Sequence, residues 1–87
     1  MFQVDQEQVF WREVEGEIII LNIDSGFYYT LREVGLLIWN MIIVNKTRHE
    51  IISAITEEYD INADTATKDL DELLESLQKE QILSVVS

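Results

Sequence analysis

Few side chains in this sequence of 87 residues could do nucleophilic, acid–base or metal chemistry. It contains one histidine, His49, and no cysteine, which excludes disulfides, thiolate nucleophiles and thiolate metal sites. Because His49 stands among polar neighbours and has no second His or Cys to join it, we interpret it as an exposed side chain. The sequence therefore predicts no catalytic residue, no metal site and no cofactor.

The acidic residues are the second possible source of chemistry. Asp60-x-Asn62-x-Asp64 resembles the start of a calcium-binding loop, but Thr65 stands where that loop needs Gly and Asp71 where it needs Glu. We interpret Asn62 or Asp64 as a helix cap instead. The other acids of this region surround leucines at helical spacing, so most of them are expected to face solvent.

The overall charge narrows the classes of partner. Seventeen acidic and six basic residues give a formal net charge of −11, which repels phosphate backbones and anionic membrane surfaces. The longest apolar stretch, Leu36 to Val44, is interrupted by Asn40 and is too short to span a bilayer. With no secretory signal at the start, we expect a soluble cytoplasmic protein that binds neutral or basic peptides or proteins, and neither nucleic acid nor membrane.

The first third of the chain has the character of β-strands. Val9–Val14 is rich in β-branched and aromatic residues, and Ile18–Ile23 is so apolar that it predicts a strand covered on both faces or nearly so. The turn signals Glu15-Gly16 and Asp24-Ser25-Gly26 separate these strands from a third strand, Phe27–Leu31. Two short connections in a row predict an antiparallel meander.

The rest of the chain has helical periodicity. Apolar residues recur at three- and four-residue spacing from Val34 to Ile43, and Thr47 with Glu50 forms a capping-box pattern that opens a second helix. A third helix is predicted from about Ala63 to Gln81, after which Ile82 and Leu83 seal the core. Three strands followed by three helices predict a single α+β domain over residues 1–87, with its core at about 7–83.

The run Phe27-Tyr28-Tyr29 is the feature that this organisation does not explain. It lies in an outer strand, where consecutive residues point to opposite faces, so one aromatic face meets the helices and the other faces outward. The rings could complete a small core. They could equally flank an unpaired strand edge, which recruits extended peptides by main-chain hydrogen bonds. The pattern alone leaves both alternatives open.

The same region resembles a known family. The resemblance lies in the stretch Asp24-Ser25-Gly26-Phe27-Tyr28-Tyr29-Thr30-Leu31, in Gly35 and in Ile38-Trp39. This pattern is similar to the signature of PqqD-like proteins. In that signature, a strand reading roughly G-x-Y-x-x-L-N leads into a helix with a small residue and then I-W. The resemblance extends from about Glu7 to Leu83. The sequence departs from the signature at Arg32, where the family usually has Asn or Asp, and this affects the cap of the first helix.

PqqD-like domains are recognition elements for the precursors of RiPPs, which are ribosomally synthesised and post-translationally modified peptides. The resemblance implies a winged helix-turn-helix-like fold that binds the leader segment of a precursor as an extra strand, antiparallel to the third strand and facing the third helix. A domain of this size resembles the standalone leader-binding protein of lasso peptide biosynthesis. There the domain is not catalytic, a separate cysteine protease cuts the leader, and a cyclase closes the ring.

This resemblance assigns the candidate peptide-binding residues. The peptide-binding strand would comprise Phe27, Tyr28, Tyr29, Thr30 and Leu31. The opposite wall, chosen by helical spacing on the third helix, would comprise Thr67, Leu70, Asp71 and Leu74, although Leu70 and Leu74 could equally belong to the core. Apolar pockets with a few acids would suit a leader that carries Tyr, Pro, Leu and some Lys or Arg.

Two alternative functions compete with leader recognition. A winged-helix DNA-binding regulator would need basic and amide side chains on its recognition helix. The second helix offers only Arg48 near its start, and the third offers Lys68 and Lys79 among six acids. The other alternative is an interaction or dimerisation domain whose outer strand pairs with its own copy.

Overall fold

Three antiparallel strands and the three helices that follow them make up most of the fold. The computed structural model describes residues 2–85. The strands are β1 (Phe2–Gln3), β2 (Val9–Val14), β3 (Glu17–Asn22), β4 (Tyr28–Arg32) and β5 (Ser84–Val85), and the helices are α1 (Val34–Ile43), α2 (Arg48–Tyr59) and α3 (Ala63–Lys79). Strands β2, β3 and β4 form one antiparallel sheet in that order, while β1 and β5 pair with each other. The predicted α+β class is confirmed, whereas the β1–β5 pair was not predicted.

Both predicted hairpin turns form, and residues with positive φ make them possible. Glu15 and Gly16 adopt φ of 49° and 81°, the conformation that a two-residue hairpin of matching twist requires. In the second hairpin Gly26 has a φ of 76°, and its N–H donates to the Asn22 carbonyl at 2.8 Å. The resulting register places Ile20 between Trp11 of β2 and Tyr29 of β4.

The alternation of side chains along β3 divides the sheet into a helix-facing and an outer face. Ile18 and Ile20 face the helices and are buried, whereas Ile19 and Leu21 are 41% and 37% exposed on the other face. The expectation that this strand is covered on both faces is therefore wrong for its outer face. No element of residues 2–85 packs over that side of the strand closely enough to bury it.

One hydrophobic cluster joins the helix-facing side of the sheet to all three helices. Trp39 of α1 is fully buried and meets Trp11 of β2 edge to face, with ring centroids 5.4 Å apart. Burial of each large aliphatic or aromatic side chain contributes about 1.5–3 kcal/mol. The predicted sealing residues Ile82 and Leu83 are buried here as well. The helical members of the cluster are Ile38, Trp39, Ile42, Ile51, Ile55, Ala66, Leu70, Leu74 and Leu77.

Side-chain caps define where α2 and α3 begin. The Glu50 N–H donates to the Thr47 hydroxyl at 3.1 Å, and the Thr47 N–H donates to the Glu50 carboxylate at 2.9 Å, which confirms the capping box. The hydrogen bond from the Thr47 backbone N–H and, after it, the hydrogen bond of the Thr47 side chain lower the pKa of Glu50. At α3, Asn62 accepts from the Thr65 N–H at 2.8 Å, so Asn62 is the predicted cap.

Two kinds of feature are missing from the part of the chain between residues 2 and 85. Its helices are too short or too polar for any of them to cross a membrane. No three histidine, aspartate or glutamate side chains in that range come together in a way that could hold a metal ion.

Candidate functional site: the open edge of β4 and the adjacent cleft

Strand β4 has one hydrogen-bonded neighbour, β3, and its other edge is open in the described residues. The Asn22 N–H donates to the Phe27 carbonyl at 2.9 Å, and this bond sets the phase of the β3–β4 ladder. Because hydrogen-bonded and non-hydrogen-bonded pairs alternate in an antiparallel ladder, Tyr29 directs its backbone groups toward β3. Tyr28 and Thr30 therefore direct their N–H and C=O groups outward at the open edge.

A cleft of about 320 Å³ lies beside this edge on the helix-facing side of the sheet. Tyr29 reaches it from β4 and is half-buried. Helix α1 supplies the apolar part of its lining, and α3 supplies the opposite wall, which combines one leucine with two carboxylates and a hydroxyl. The lining residues are Tyr29, Val34, Gly35, Ile38, Asp69, Glu72, Leu73 and Ser76. The cleft can hold a few side chains of an extended peptide.

Gly35 keeps α1 close to β4 where the cleft begins. A Cβ atom at this position would lie 3.2 Å from Cδ2 and 3.4 Å from Cβ of Leu31, which is tighter than most carbon–carbon contacts. Glycine therefore permits the close approach of helix and strand. A larger side chain here would have to displace Leu31 or project into the space beside Tyr29.

Asn22 fixes the distance between the β3–β4 hairpin and the end of α3. Its side chain is buried, and its amide donates to the carbonyls of Glu80 and Gln81, both at 3.3 Å. Its Oδ1 accepts from the Asp24 N–H at 3.0 Å, so the same residue also shapes the turn before β4. This role was not predicted from the sequence. A single polar residue inside the apolar run Ile18–Ile23 was the signal that could have revealed it.

The structure assigns different parts to the five predicted strand residues. Phe27 lies just before β4, with its ring 6.0 Å from that of Tyr29 on the same face. Tyr28 and Thr30 project their side chains to the outer face, where both are exposed, and Leu31 is buried in the core. The side chain of Tyr29 lines the cleft, while Tyr28 and Thr30 contribute the outward backbone groups.

The four predicted residues of α3 lie elsewhere. Leu70 and Leu74 are buried members of the core. Asp71 forms an ion pair of 2.5 Å with Arg48, and the Thr67 hydroxyl donates to the Ala63 carbonyl at 2.7 Å. Asp71 and Leu74 also line a second pocket of about 540 Å³ between β1, β5 and the start of α2.

None of these four side chains is thus among the residues that line the cleft with Tyr29. At 100° per residue, the stripe through Thr67, Asp71 and Leu74 lies on a different side of α3 from the stripe that lines the cleft. The apolar stripe of α3 must meet the core, and this requirement turns Asp69, Glu72 and Leu73 toward β4.

An open strand edge beside a cleft is a geometry at which an extended peptide can be added to a sheet as a strand. The family described as coenzyme PQQ synthesis protein D (PqqD) matches residues 17–83. This chain belongs to the PqqD family, and it is a PqqD-like RiPP recognition element.

Two solved structures resemble the whole chain. One is TbiB1 in complex with the TbiA(beta) leader peptide, which is 27% identical with a TM-score of 0.89 and covers 98% of each chain. The other is lasso peptide synthetase B1 complexed with the leader peptide, which is 19% identical with a TM-score of 0.87 and covers 97% of this chain and 98% of that one. The second likeness shows the fold alone. A search of curated protein sequences finds no match.

Proposed function

We propose that this chain binds the leader segment of a RiPP precursor in lasso peptide biosynthesis. The leader would add to the sheet as a strand antiparallel to β4 and lie in the cleft between β4 and α3. The domain would carry out no catalysis itself and would present the bound precursor to a separate cysteine protease and to a cyclase. TbiB1, whose structure contains a leader peptide and whose fold matches over 98% of this chain, supports this function.

The observation that carries the proposal is the pair of outward-facing backbones, Tyr28 and Thr30, next to the cleft. Two residues offer four hydrogen bonds, which at about 1 kcal/mol each contribute about 4 kcal/mol. Micromolar affinity requires about 8 kcal/mol. Burial of leader side chains in the cleft would therefore have to supply the difference, which explains why the edge and the cleft must lie together.

Strand addition would divide the leader side chains between the two faces of the sheet. Residues directly opposite each other in an antiparallel pair point to the same face. A leader residue opposite Tyr29 would therefore enter the cleft, and its neighbours, opposite Tyr28 and Thr30, would lie on the outer face. One face of the leader would be held by this domain while the other stayed accessible.

The outer face of the sheet supports the presentation of the leader to a partner enzyme. Phe10, Leu21 and Tyr28 form one row across the three strands, with 54%, 37% and 68% of their surfaces exposed, and Ile19 lies beside them. Contiguous exposed apolar surface of this kind marks protein contacts. An added leader strand would extend this face, so an enzyme that docks on it would contact the domain and the leader together.

Proline substitution at the two edges of the sheet tests the proposal. Thr30→Pro removes an outward N–H from β4, and Glu13→Pro removes an outward N–H from β2. Proline is tolerated at an edge when its missing N–H faces solvent. With a synthetic leader peptide of a candidate precursor as the ligand, calorimetry should show about a tenfold loss of affinity for Thr30→Pro and unchanged affinity for Glu13→Pro.

Equal binding of that leader by both folded variants would contradict strand addition at β4. Mass measurement of the unmodified protein tests the competing dimer hypothesis in the same experiment. A dimer that pairs through β4 should dissociate when the leader binds, whereas a dimer that persists and excludes the leader would favour self-association as the function of this edge.

A further inference from the structure

The α3 wall of the cleft carries two carboxylates that the core and the fold do not use. Asp69 and Glu72 lie one helical turn apart and line the cleft with Leu73 and Ser76. Within residues 2–85 neither carboxylate takes part in an ion pair, although Asp71, which lies between them in the sequence, is paired with Arg48. Like charges three residues apart on a helix repel each other, so a cation placed between them would relieve this repulsion.

We propose that Asp69 and Glu72 select a leader that carries a Lys or Arg side chain facing α3. This inference rests on the proposed function and specifies the chemistry of its ligand. A long basic side chain suits both parts of the cleft, because its aliphatic stem can pack on apolar surface while its charged end reaches the rim. Val34 and Leu73 would contact the stem, and the two carboxylates would bind the charged end.

Strand addition also restricts where in the leader the basic residue lies. Helix α3 is on the helix-facing side of the sheet, which is the side that Tyr29 faces. Successive residues of a strand point to opposite faces. The basic residue should therefore fall at the position opposite Tyr29 or an even number of residues away from it. It should share this parity with the apolar residues that enter the cleft.

A display library of randomised peptides about twelve residues long tests this preference without knowledge of the natural leader. Selection is carried out on wild type, on the double variant Asp69→Asn/Glu72→Gln, and on the matched control Asp71→Asn/Glu75→Gln. The control makes the same chemical changes on the same helix and the same change in net charge, but its residues line the second pocket. Circular dichroism and thermal melting verify that each variant is folded.

Wild type and the control should both enrich a Lys or Arg at one position with the parity of the apolar positions. The double variant should keep the apolar preferences and lose the basic one. For the consensus peptide, replacement of the base by norleucine should weaken binding to wild type by about threefold to tenfold, as expected for a partly exposed ion pair, and should leave binding to the double variant within about twofold. On wild type, the difference in affinity between the consensus peptide and its norleucine variant should shrink as the salt concentration rises from about 50 mM to about 500 mM.

The possible failures of this experiment are distinguishable. Peptides that lose binding to Thr30→Pro but show no basic preference on wild type, or show the same preference on the double variant, would overturn the role of Asp69 and Glu72 and leave strand addition intact. A selection that returns no peptide sensitive to Thr30→Pro would instead overturn the proposed function. If the control lost the basic preference as fully as the double variant, the preference would depend on net charge and not on Asp69 and Glu72.

Discussion

The two edges of the three-stranded sheet differ in what surrounds them. At the β4 edge, Tyr28 and Thr30 direct their backbone groups outward next to the cleft formed with α1 and α3. At the β2 edge, the Val9 N–H already donates to the Asp5 carbonyl at 2.8 Å. Further along β2, Glu13 is exposed on the helix-facing side of the sheet, and a charged residue in this position discourages strand pairing.

From this contrast we expect that an unpaired edge is not by itself sufficient to bind a peptide. Both edges offer backbone donors and acceptors, and their hydrogen bonds would contribute similar free energies. The β4 edge adds a cleft in which alternate side chains of a peptide can be buried. The β2 edge instead carries a local turn and a carboxylate. Selectivity between the edges should therefore depend on α1 and α3 as much as on the strands.

The largest effect is expected from substituting one of two adjacent leucines that lie on different sides of α3. Leu74→Ala removes a buried side chain from the core and should lower the free energy of unfolding by about 2–5 kcal/mol, as measured by urea denaturation. Leu73→Ala, at the half-buried wall of the cleft, should lower it by less and should weaken leader binding instead. Equal losses of stability from the two changes would mean that Leu73 belongs to the core rather than to the site.

Asn22→Ala should show how far the β4 site depends on the link to α3. The change leaves the Glu80 and Gln81 carbonyls and the turn N–H groups without their partner, which should cost about 1–3 kcal/mol of stability. The hairpin before β4 and the end of α3 would both loosen. Affinity for the leader should therefore fall even at temperatures at which the variant is folded. Affinity equal to that of wild type would show that the cleft does not need this link.

Substitutions of the two neighbouring tyrosines of β4 should distinguish binding of the leader from binding of the domain–leader complex to a partner enzyme. Tyr29→Ala removes the ring that lines the cleft and should weaken leader binding by about tenfold, or about 1.4 kcal/mol. Tyr28→Ala should leave leader affinity within about twofold and lower the affinity of the domain–leader complex for the partner protease. Calorimetry with leader alone and then with protease measures both steps. The reverse pattern would exchange the roles of the two faces.

The smallest effect is expected far from both edges, at the start of α2. Thr47→Ala removes a helix cap, which is typically worth about 1 kcal/mol. The pKa of Glu50 is lowered in the folded state. The ionised Glu50 carboxylate therefore stabilises the fold fully above the pKa that this residue has in the unfolded chain. This stabilisation is lost as pH falls through the pKa that Glu50 has in the folded state. The stability difference between wild type and Thr47→Ala should therefore narrow on acidification below the usual range of a glutamate. A difference that stays constant with pH would contradict this coupling.

The sequence predicted the longer elements of the fold because each contains a local signal. The capping box at Thr47, the turn at Glu15-Gly16 and the leucine periodicity of α3 all act over a few residues, and all three are confirmed. Strands β1 and β5 contain two residues each and pair across the length of the chain, so no local pattern indicated them. The exposure of Ile19 and Leu21 was missed because an unbroken apolar run conceals the alternation between the two faces of a strand.

The candidate site was predictable on one side and not on the other. The aromatic run pointed to the strand, and the family resemblance assigned it to peptide binding, because the run alone left open whether its rings complete the core. Helical spacing grouped Leu70 with Leu74 correctly as neighbours on α3, but spacing alone does not say which stripe of a helix meets the core and which meets a cleft. The orientation of Asp69 and Glu72 depends on packing between elements that are distant in sequence. Asn22 fixes part of this packing through its hydrogen bonds to the end of α3.

Amide hydrogen exchange with and without leader tests strand addition at β4 most directly. In the unbound domain the Tyr29 and Leu31 amides, which face β3, should exchange slowly, and the Tyr28 and Thr30 amides should exchange fast. Leader binding should slow Tyr28 and Thr30 and leave Trp11 and Glu13 of β2 unchanged. Binding that leaves Tyr28 and Thr30 in fast exchange, or that slows the β2 amides instead, would contradict the central claim.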